Sequence, residues 1–261
     1  MITDDDPYGL SDEQCASYHR DGFIFMPDLI PLAEITRARD EAAGLCKAAR
    51  REVIMENDGV TVRSVMNPHV FSDLFARFVR HPGLLGPVRR LLAREVYLFQ
   101  IIINMKRPFS GDIWQWHQDY PTYLADDEMP EPRAVNALVF LDDVIEFNGP
   151  LMIIPGSHQE PVHESPVDDT TTSYPLRAID PSVVERLAGE RGIVAPKGRA
   201  GSVIFAHINF VHGSGPNLSP WPRTLASVTF NAIDNRHGKS RRPDWVVCND
   251  FTPLEPIVPP L

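Results

Sequence analysis

The sequence predicts a mainly β protein of the α+β class: a double-sheet barrel of the jelly-roll type, with N-terminal helices packed outside it. Three observations carry this. Four stretches before residue 95 read as helices. From Val96 onward the chain changes to short apolar runs of strand length. Turn signals separate those runs: Asn148-Gly-Pro, Pro155-Gly-Ser, Lys197-Gly-Arg and Gly213-Ser-Gly-Pro. Many short strands joined by Gly/Pro turns are the mark of a jelly roll. With 261 residues, 43% of them hydrophobic, the chain can bury one sizeable core and an added helical layer.

Each element has a local reason. Ser11-Asp-Glu-Gln is a helix N-cap with Gln at N3, so a short helix runs to about Arg20 and ends at Asp21-Gly22. Phe23-Ile-Phe-Met follows as a short strand. Residues 31–51 are rich in Ala, Leu, Arg and Glu with apolar residues at helical spacing, a long amphipathic helix. Val60 to Val65 is strand-like. Residues 71–79 and 84–93 read as two helices split by His81-Pro-Gly. The strands are 96–105, 134–141, 151–154, 202–206 and 224–233. In the first of them Gln100 and Asn104 interrupt an apolar run and face one side together with Ile102. Residues 120–132 and 158–179 are expected as loops over a site, where mobile lids exclude water. The Pro-rich tail from Thr252 is expected to be extended and poorly ordered. The chain is organised as one domain, 1–261, with a helical N-terminal layer (1–95), a β core (96–235) and a C-terminal extension (236–261).

A net charge of −10 argues against nucleic acid and anionic membranes as main partners. Cys15, Cys46 and Cys248 are far apart and lack a CxxC pair, which fits buried thiols in a reducing compartment. The N-terminus is acidic where a signal peptide would be basic, and no apolar run reaches the ~20 residues that span a bilayer. A cytoplasmic enzyme acting on a small molecule is expected, its oligomeric state left open.

The chemistry resides in His117-Gln-Asp119, His212, Ser214 and Arg223. Two histidines and a carboxylate form the facial triad of non-haem iron(II), which leaves metal positions open for a co-substrate and O2. His-x-Asp alone is weak in a chain with nine histidines. In extended backbone, however, positions 117 and 119 point the same way and can share one metal. Arg223, eleven residues past His212, suits a bidentate carboxylate such as the far end of a 2-oxo acid. Zinc is the rival metal, but a zinc hydrolase would want a Glu or His base nearby and none is evident. The other histidines read as surface or structural residues.

At these residues the chain resembles the phytanoyl-CoA dioxygenase family of iron(II)/2-oxoglutarate oxygenases. The matching segments are 100–104, Gly111-Asp-Ile-Trp-Gln-Trp-His-Gln-Asp-Tyr120, Asn148-Gly-Pro-Leu-Met-Ile-Ile-Pro-Gly-Ser-His158 and 212–223. Within the family it resembles ectoine hydroxylases and, more closely, bacterial trans-4-hydroxylases of free L-proline. The resemblance implies a double-stranded β-helix (cupin-like) core. His117, Asp119 and His212 would bind iron(II). Arg223 would pair with the distal carboxylate of 2-oxoglutarate beside Ser214, with Asn104 near its other end and Trp114 walling the pocket. Gln100 would face the substrate, Arg63 would meet a substrate carboxylate, and Tyr120 and Tyr123 would line the substrate side. O2 is the second co-substrate, and ascorbate assists. Halogenases of this group place a small residue where Asp119 stands, so a carboxylate implies hydroxylation. Where ectoine hydroxylases have aromatic residues this chain aligns Ala206 and Ser227, and Pro121 departs from the proline hydroxylases.

The leading expectation is hydroxylation of a C–H bond of a small amino acid, L-proline or a close analogue, releasing succinate and CO2. The alternative is the same oxidant used for hydroxylation, desaturation, epoxidation or ring formation on a biosynthetic intermediate. A non-enzymatic jelly-roll binding module would lack a ligand or the arginine, and here all are present. An acyl-CoA substrate would want a basic patch, and Arg50-Arg51 and Arg241-Arg242 read as solvated charges.

Overall fold

A computed structural model describes residues 8–163, 165–258 and 261. Its elements in chain order are α1 (Asp12–Asp21), β1 (Phe23–Met26), α2 (Leu32–Leu45), β2 (Val53–Met55), β3 (Val62–Met66), α3 (Asp73–Phe78), α4 (Pro82–Leu92), β4 (Val96–Lys106), β5 (Trp114–His117), α5 (Tyr120–Asp127), β6 (Ala134–Phe140), β7 (Leu151–Ile153), β8 (Val167–Asp168), β9 (Leu176–Arg177), α6 (Pro181–Arg191), β10 (Val203–His207), β11 (His212–Ser214) and β12 (Arg223–Ala232). Seven strands form one antiparallel sheet in the order β1-β10-β6-β12-β4-β3-β2. A second sheet, β5-β11-β7, has three, and β8-β9 is a small separate hairpin. The arrangement is the predicted jelly roll, mainly β with helices.

Alternation along the strands explains the layering. Ala226, Val228 and Phe230 on β12, with Ile101 and Ile103 on β4, belong to a core shared with Phe75, Phe78, Leu84, Leu85 and Val88 of the helices. Successive strand residues point to opposite faces. The intervening Leu225, Ser227, Gln100, Ile102 and Asn104 therefore line a cavity on the inner side. The helices cover one face of the large sheet, and the other face is left to build a site.

Several elements differ from expectation. The two strands expected in the N-terminal layer join the large sheet: β1 pairs with β10 at one edge, and β3 with the additional β2 forms the other. Helix α2 stops at Leu45, short of Arg51. Gly44 weakens its last turn, and the amides of Lys47 and Ala48 bond three residues back instead. The stretch after the metal motif is not a loop at first but helix α5. Pro121 lies in its first turn, where a missing N–H costs nothing and a fixed φ helps. Helix α6 went unpredicted although Asp180 caps it by accepting from the Ser182 amide, with Pro at its start. The C-terminal tail is extended but pinned: the Leu254 amide donates to Val96 O at 2.9 Å and the Ile257 amide to Arg80 O at 3.2 Å. Among the described residues no helix is long and apolar enough to cross a membrane.

Candidate active site

The small sheet brings two histidines together. His212 on β11 stands opposite His117 at the end of β5, and their ring centroids are 4.0 Å apart. Phe210 stacks on His212 at 4.3 Å and holds its ring. The Nδ1 of His117 lies 2.6 Å from Gln115 O, and that of His212 lies 3.2 Å from Phe210 O. A carbonyl only accepts, so both Nδ1 atoms carry the proton and both Nε2 lone pairs are free for a metal. Burial, with His117 beside it, pushes His212 down to about 3, so this imidazole is neutral, as a metal ligand must be.

Asp119 follows β5 in helical backbone at the N-cap of α5. Aspartate there normally accepts from the first turn, yet its side chain makes no capping bond. Its Oδ1 lies 3.5 Å from His117 Nε2. Burial acts to raise this carboxyl, but His117, His212 and Asn136 outweigh it and hold it below the ordinary carboxylate range. One ligand atom from each of His117, Asp119 and His212 falls within 4.8 Å of the others, the only such group of three among the described residues. Two imidazoles and one carboxylate suit iron(II).

These groups open onto a cavity of about 430 Å³. The register of the large sheet gives it two ends. Arg223 pairs with Lys106 at one end of β12, and Thr229 pairs with Gln100 six residues along, a span of ~20 Å at the strand rise. Arg223 is 2% exposed. Its Nε and Nη2 donate to Gly149 O at 3.0 and 2.7 Å, and Nη2 also donates to Ser214 Oγ at 3.3 Å. Burial pushes its guanidinium down to about 9, still charged at neutral pH. No carboxylate lies within ion-pair distance of Arg223 among the described residues, so a buried cation here fits an incoming anion. Asn104 and Trp114 line the same cavity. Ser64 donates to Asn104 Oδ1 at 2.9 Å, which turns the amide nitrogen away from β3.

At the other end Gln100 Nε2 donates to Tyr123 Oη at 2.9 Å. Arg242 reaches in from the C-terminal extension. It grips Asp127 with Nε at 3.0 Å and Nη2 at 2.5 Å, and its Nη2 lies 3.4 Å from Gln100 Oε1. Its guanidinium sits 5.2 Å from the centroid of the Tyr123 ring. Tyr174, Leu176 and Arg177 of the β8–β9 hairpin, with Trp245 and Val246, complete the wall.

Two expected site residues are elsewhere. Arg63 does not reach the cavity. It is 1% exposed, pairs with Glu56 at 2.9 Å, donates to Ile113 O and lies over Trp114 at 4.1 Å. The sharp β2–β3 turn brings Glu56 back to it. Arg63→Met should therefore lower thermal stability by about 3–5 kcal/mol, because Glu56 is left buried and unpaired, while the Michaelis constant of the substrate stays unchanged. Tyr120 also turns away, its hydroxyl donating to Pro130 O at 3.0 Å. Conversely, Arg242, expected as a solvated charge, is a partly buried residue that lines the cavity and pairs with the buried Asp127. Asn136 went unnoticed as well. It is the one polar residue in the run Ala-Val-Asn-Ala-Leu-Val-Phe, the same signal that marks Gln100 and Asn104.

Known proteins share this architecture. Residues 18–225 match the family described as phytanoyl-CoA dioxygenase (PhyH). An ectoine dioxygenase of Bordetella parapertussis is 37% identical, covering 95% of this chain and 86% of its own. An L-proline trans-4-hydroxylase of Streptomyces griseoviridis is 34% identical, covering 92% and 93%. EctD from S. alaskensis, solved with 2-oxoglutarate and 5-hydroxyectoine, superposes with a TM-score of 0.83 at 32% identity, covering 98% of this chain and 90% of that one. It has also been solved with bound Fe. The expected order of likeness, proline hydroxylases before ectoine hydroxylases, does not appear in these identities. A match over most of its length, to relatives named for the oxidation of small amino-acid-like molecules, means that this chain belongs to the phytanoyl-CoA dioxygenase family and is an iron(II)/2-oxoglutarate-dependent dioxygenase.

Proposed function

We propose that this enzyme hydroxylates a C–H bond of a small free amino acid, L-proline or a close analogue, with iron held by His117, Asp119 and His212. The observation that carries this reading is a cavity with an arginine at each end, the buried Arg223 and the partly buried Arg242. One arginine suits the distal carboxylate of 2-oxoglutarate and the other suits the carboxylate of an amino acid. A cavity of about 430 Å³, shared with the co-substrate, leaves room for a small molecule. The likeness to an L-proline trans-4-hydroxylase supports the same class.

When bound, iron(II) with 2-oxoglutarate and O2 supplies oxidation of an unactivated C–H bond, with succinate and CO2 as co-products. The chain's own residues decide what is presented. Arg223 and Ser214 hold the distal carboxylate, Asn104 offers its amide nitrogen toward the other end, and Trp114 walls that half. Arg242, braced by Asp127, holds the substrate carboxylate. Gln100 and Tyr123 orient the rest, and Tyr174, Leu176 and Trp245 exclude water. Replacing Arg242 and Asp127 together by Gln and Asn keeps a neutral pair and avoids an orphaned buried charge. That double variant should raise the substrate Michaelis constant at least ~10-fold, the scale of one charge-assisted hydrogen bond, and leave that of 2-oxoglutarate alone.

The deciding experiment is mass spectrometry of aerobic reactions with iron(II), ascorbate and 2-oxoglutarate. L-Proline, other cyclic and aliphatic amino acids, and ectoine would be tested side by side. A product one oxygen heavier from L-proline, formed with succinate, is expected. Turnover of ectoine alone would overturn the amino-acid reading, and the 37% identity to an ectoine dioxygenase makes that the comparison to run.

A further inference from the structure

We infer that Asn136, oriented by Ser227, is a positioning residue that confines Asp119 to one metal-facing oxygen. The inference rests on the proposed ligand role of Asp119. Asp119 lies beyond the end of β5, in helical backbone, and its side chain makes no capping bond to α5. Neither the sheet nor the helix therefore fixes the rotation of its carboxylate. Oδ1 faces His117 Nε2 at 3.5 Å. The other oxygen, Oδ2, lies 3.4 Å from Asn136 Nδ2, and no other side chain among the described residues donates to it.

An asparagine amide can present either end, and Ser227 decides which. Ser227 Oγ is 2.9 Å from Asn136 Oδ1. With the hydroxyl donating, Oδ1 is occupied on the β12 side and Nδ2 must point to Asp119. Both residues sit on central strands of the large sheet, β6 and β12, with Ser227 fully inside the ladder. The chain of contacts thus runs from the central strands to a carboxylate that makes no capping bond of its own. Its effect is geometric. A carboxylate whose outer oxygen is held by an amide N–H offers one oxygen to the metal. A carboxylate free to rotate can bind through both and occupy a position that 2-oxoglutarate or O2 needs. Partners that orient a ligand in this way are typically worth ~10- to 100-fold in metal affinity or activity.

The test uses full-length apoprotein titrated anaerobically with iron(II), with and without 2-oxoglutarate, alongside thermal melting. Asn136→Leu keeps the size and removes the donor, and should weaken iron binding ~10- to 100-fold. Ser227→Ala should weaken it less. The double variant should be no worse than Asn136→Leu alone, because the two act in series. Should Asn136→Leu fail to fold, Ser227→Ala still decides through iron affinity. Iron affinity unchanged in the folded variants, with only the substrate Michaelis constant raised, would overturn the inference and make Asn136 a substrate contact. Failure of the wild-type protein to bind iron more tightly than His212→Ala would instead overturn the ligand assignment beneath it.

Discussion

Asp119→Ala is expected to abolish turnover. The carboxylate is the only anionic group within reach of His117 Nε2 and His212 among the described residues. Its removal deletes one of three proposed ligands rather than a partner of one, so the loss should exceed the ~100-fold typical of such partners. Substrate-dependent succinate, measured with iron content, is the readout. The fold should survive, because the side chain supplies no cap to α5 whose loss would cost stability. Full activity in a folded Asp119→Ala protein would remove the ligand assignment.

Arg223→Ala should raise the Michaelis constant for 2-oxoglutarate by roughly 10- to 150-fold, the equivalent of a lost charge-assisted pair of about 1.5–3 kcal/mol. The constant for the proposed amino-acid substrate should change far less, since Arg223 sits at the opposite end of the cavity from Gln100. Arg223→Lys should recover only part of the loss. It restores the charge but not the two-pronged donor set that now spans Gly149 O and Ser214. Thermal melting separates this from stability, because the Gly149 carbonyl also loses its donors. Unchanged 2-oxoglutarate affinity in Arg223→Ala would count against its role.

Much of the fold and site was legible, and the failures share a cause. The strands of the core alternate cleanly between helix-facing and cavity-facing residues, so period-two reading found them, and Gln100 and Asn104 stood out as polar breaks. His117, Asp119, His212 and Arg223 carry a spacing that is itself chemical. Arg63 and Arg242 were misjudged in opposite directions because the fate of an arginine depends on its partner. Glu56 is seven residues from Arg63 but across a sharp turn, and Asp127 is 115 residues from Arg242. No local pattern encodes the second distance. Helix α5 was hidden by Pro121 and its acidic run, which signal a loop unless position 119 is seen as a helix start. The twofold error at α2 and α6 came from end signals, Gly44 and Asp180-Pro181, that weigh little beside a long apolar period.

Helix α5 spans eight residues. It begins directly after Asp119, the residue proposed to hold iron, and ends at Asp127, which braces Arg242. Any attempt to redesign substrate choice through Tyr123 or Asp127 will therefore be felt at the oxidation centre, and gains in selectivity there will come with losses in rate. The side chains of Leu176 and Trp245 line the same cavity as apolar wall, although the backbone near them is tied in by the Ala178–His117 bridge and by the Cys248 amide donating to Phe99 O. Directed evolution toward new amino acids should accumulate its tolerated changes at Leu176 and Trp245, and leave α5 nearly untouched.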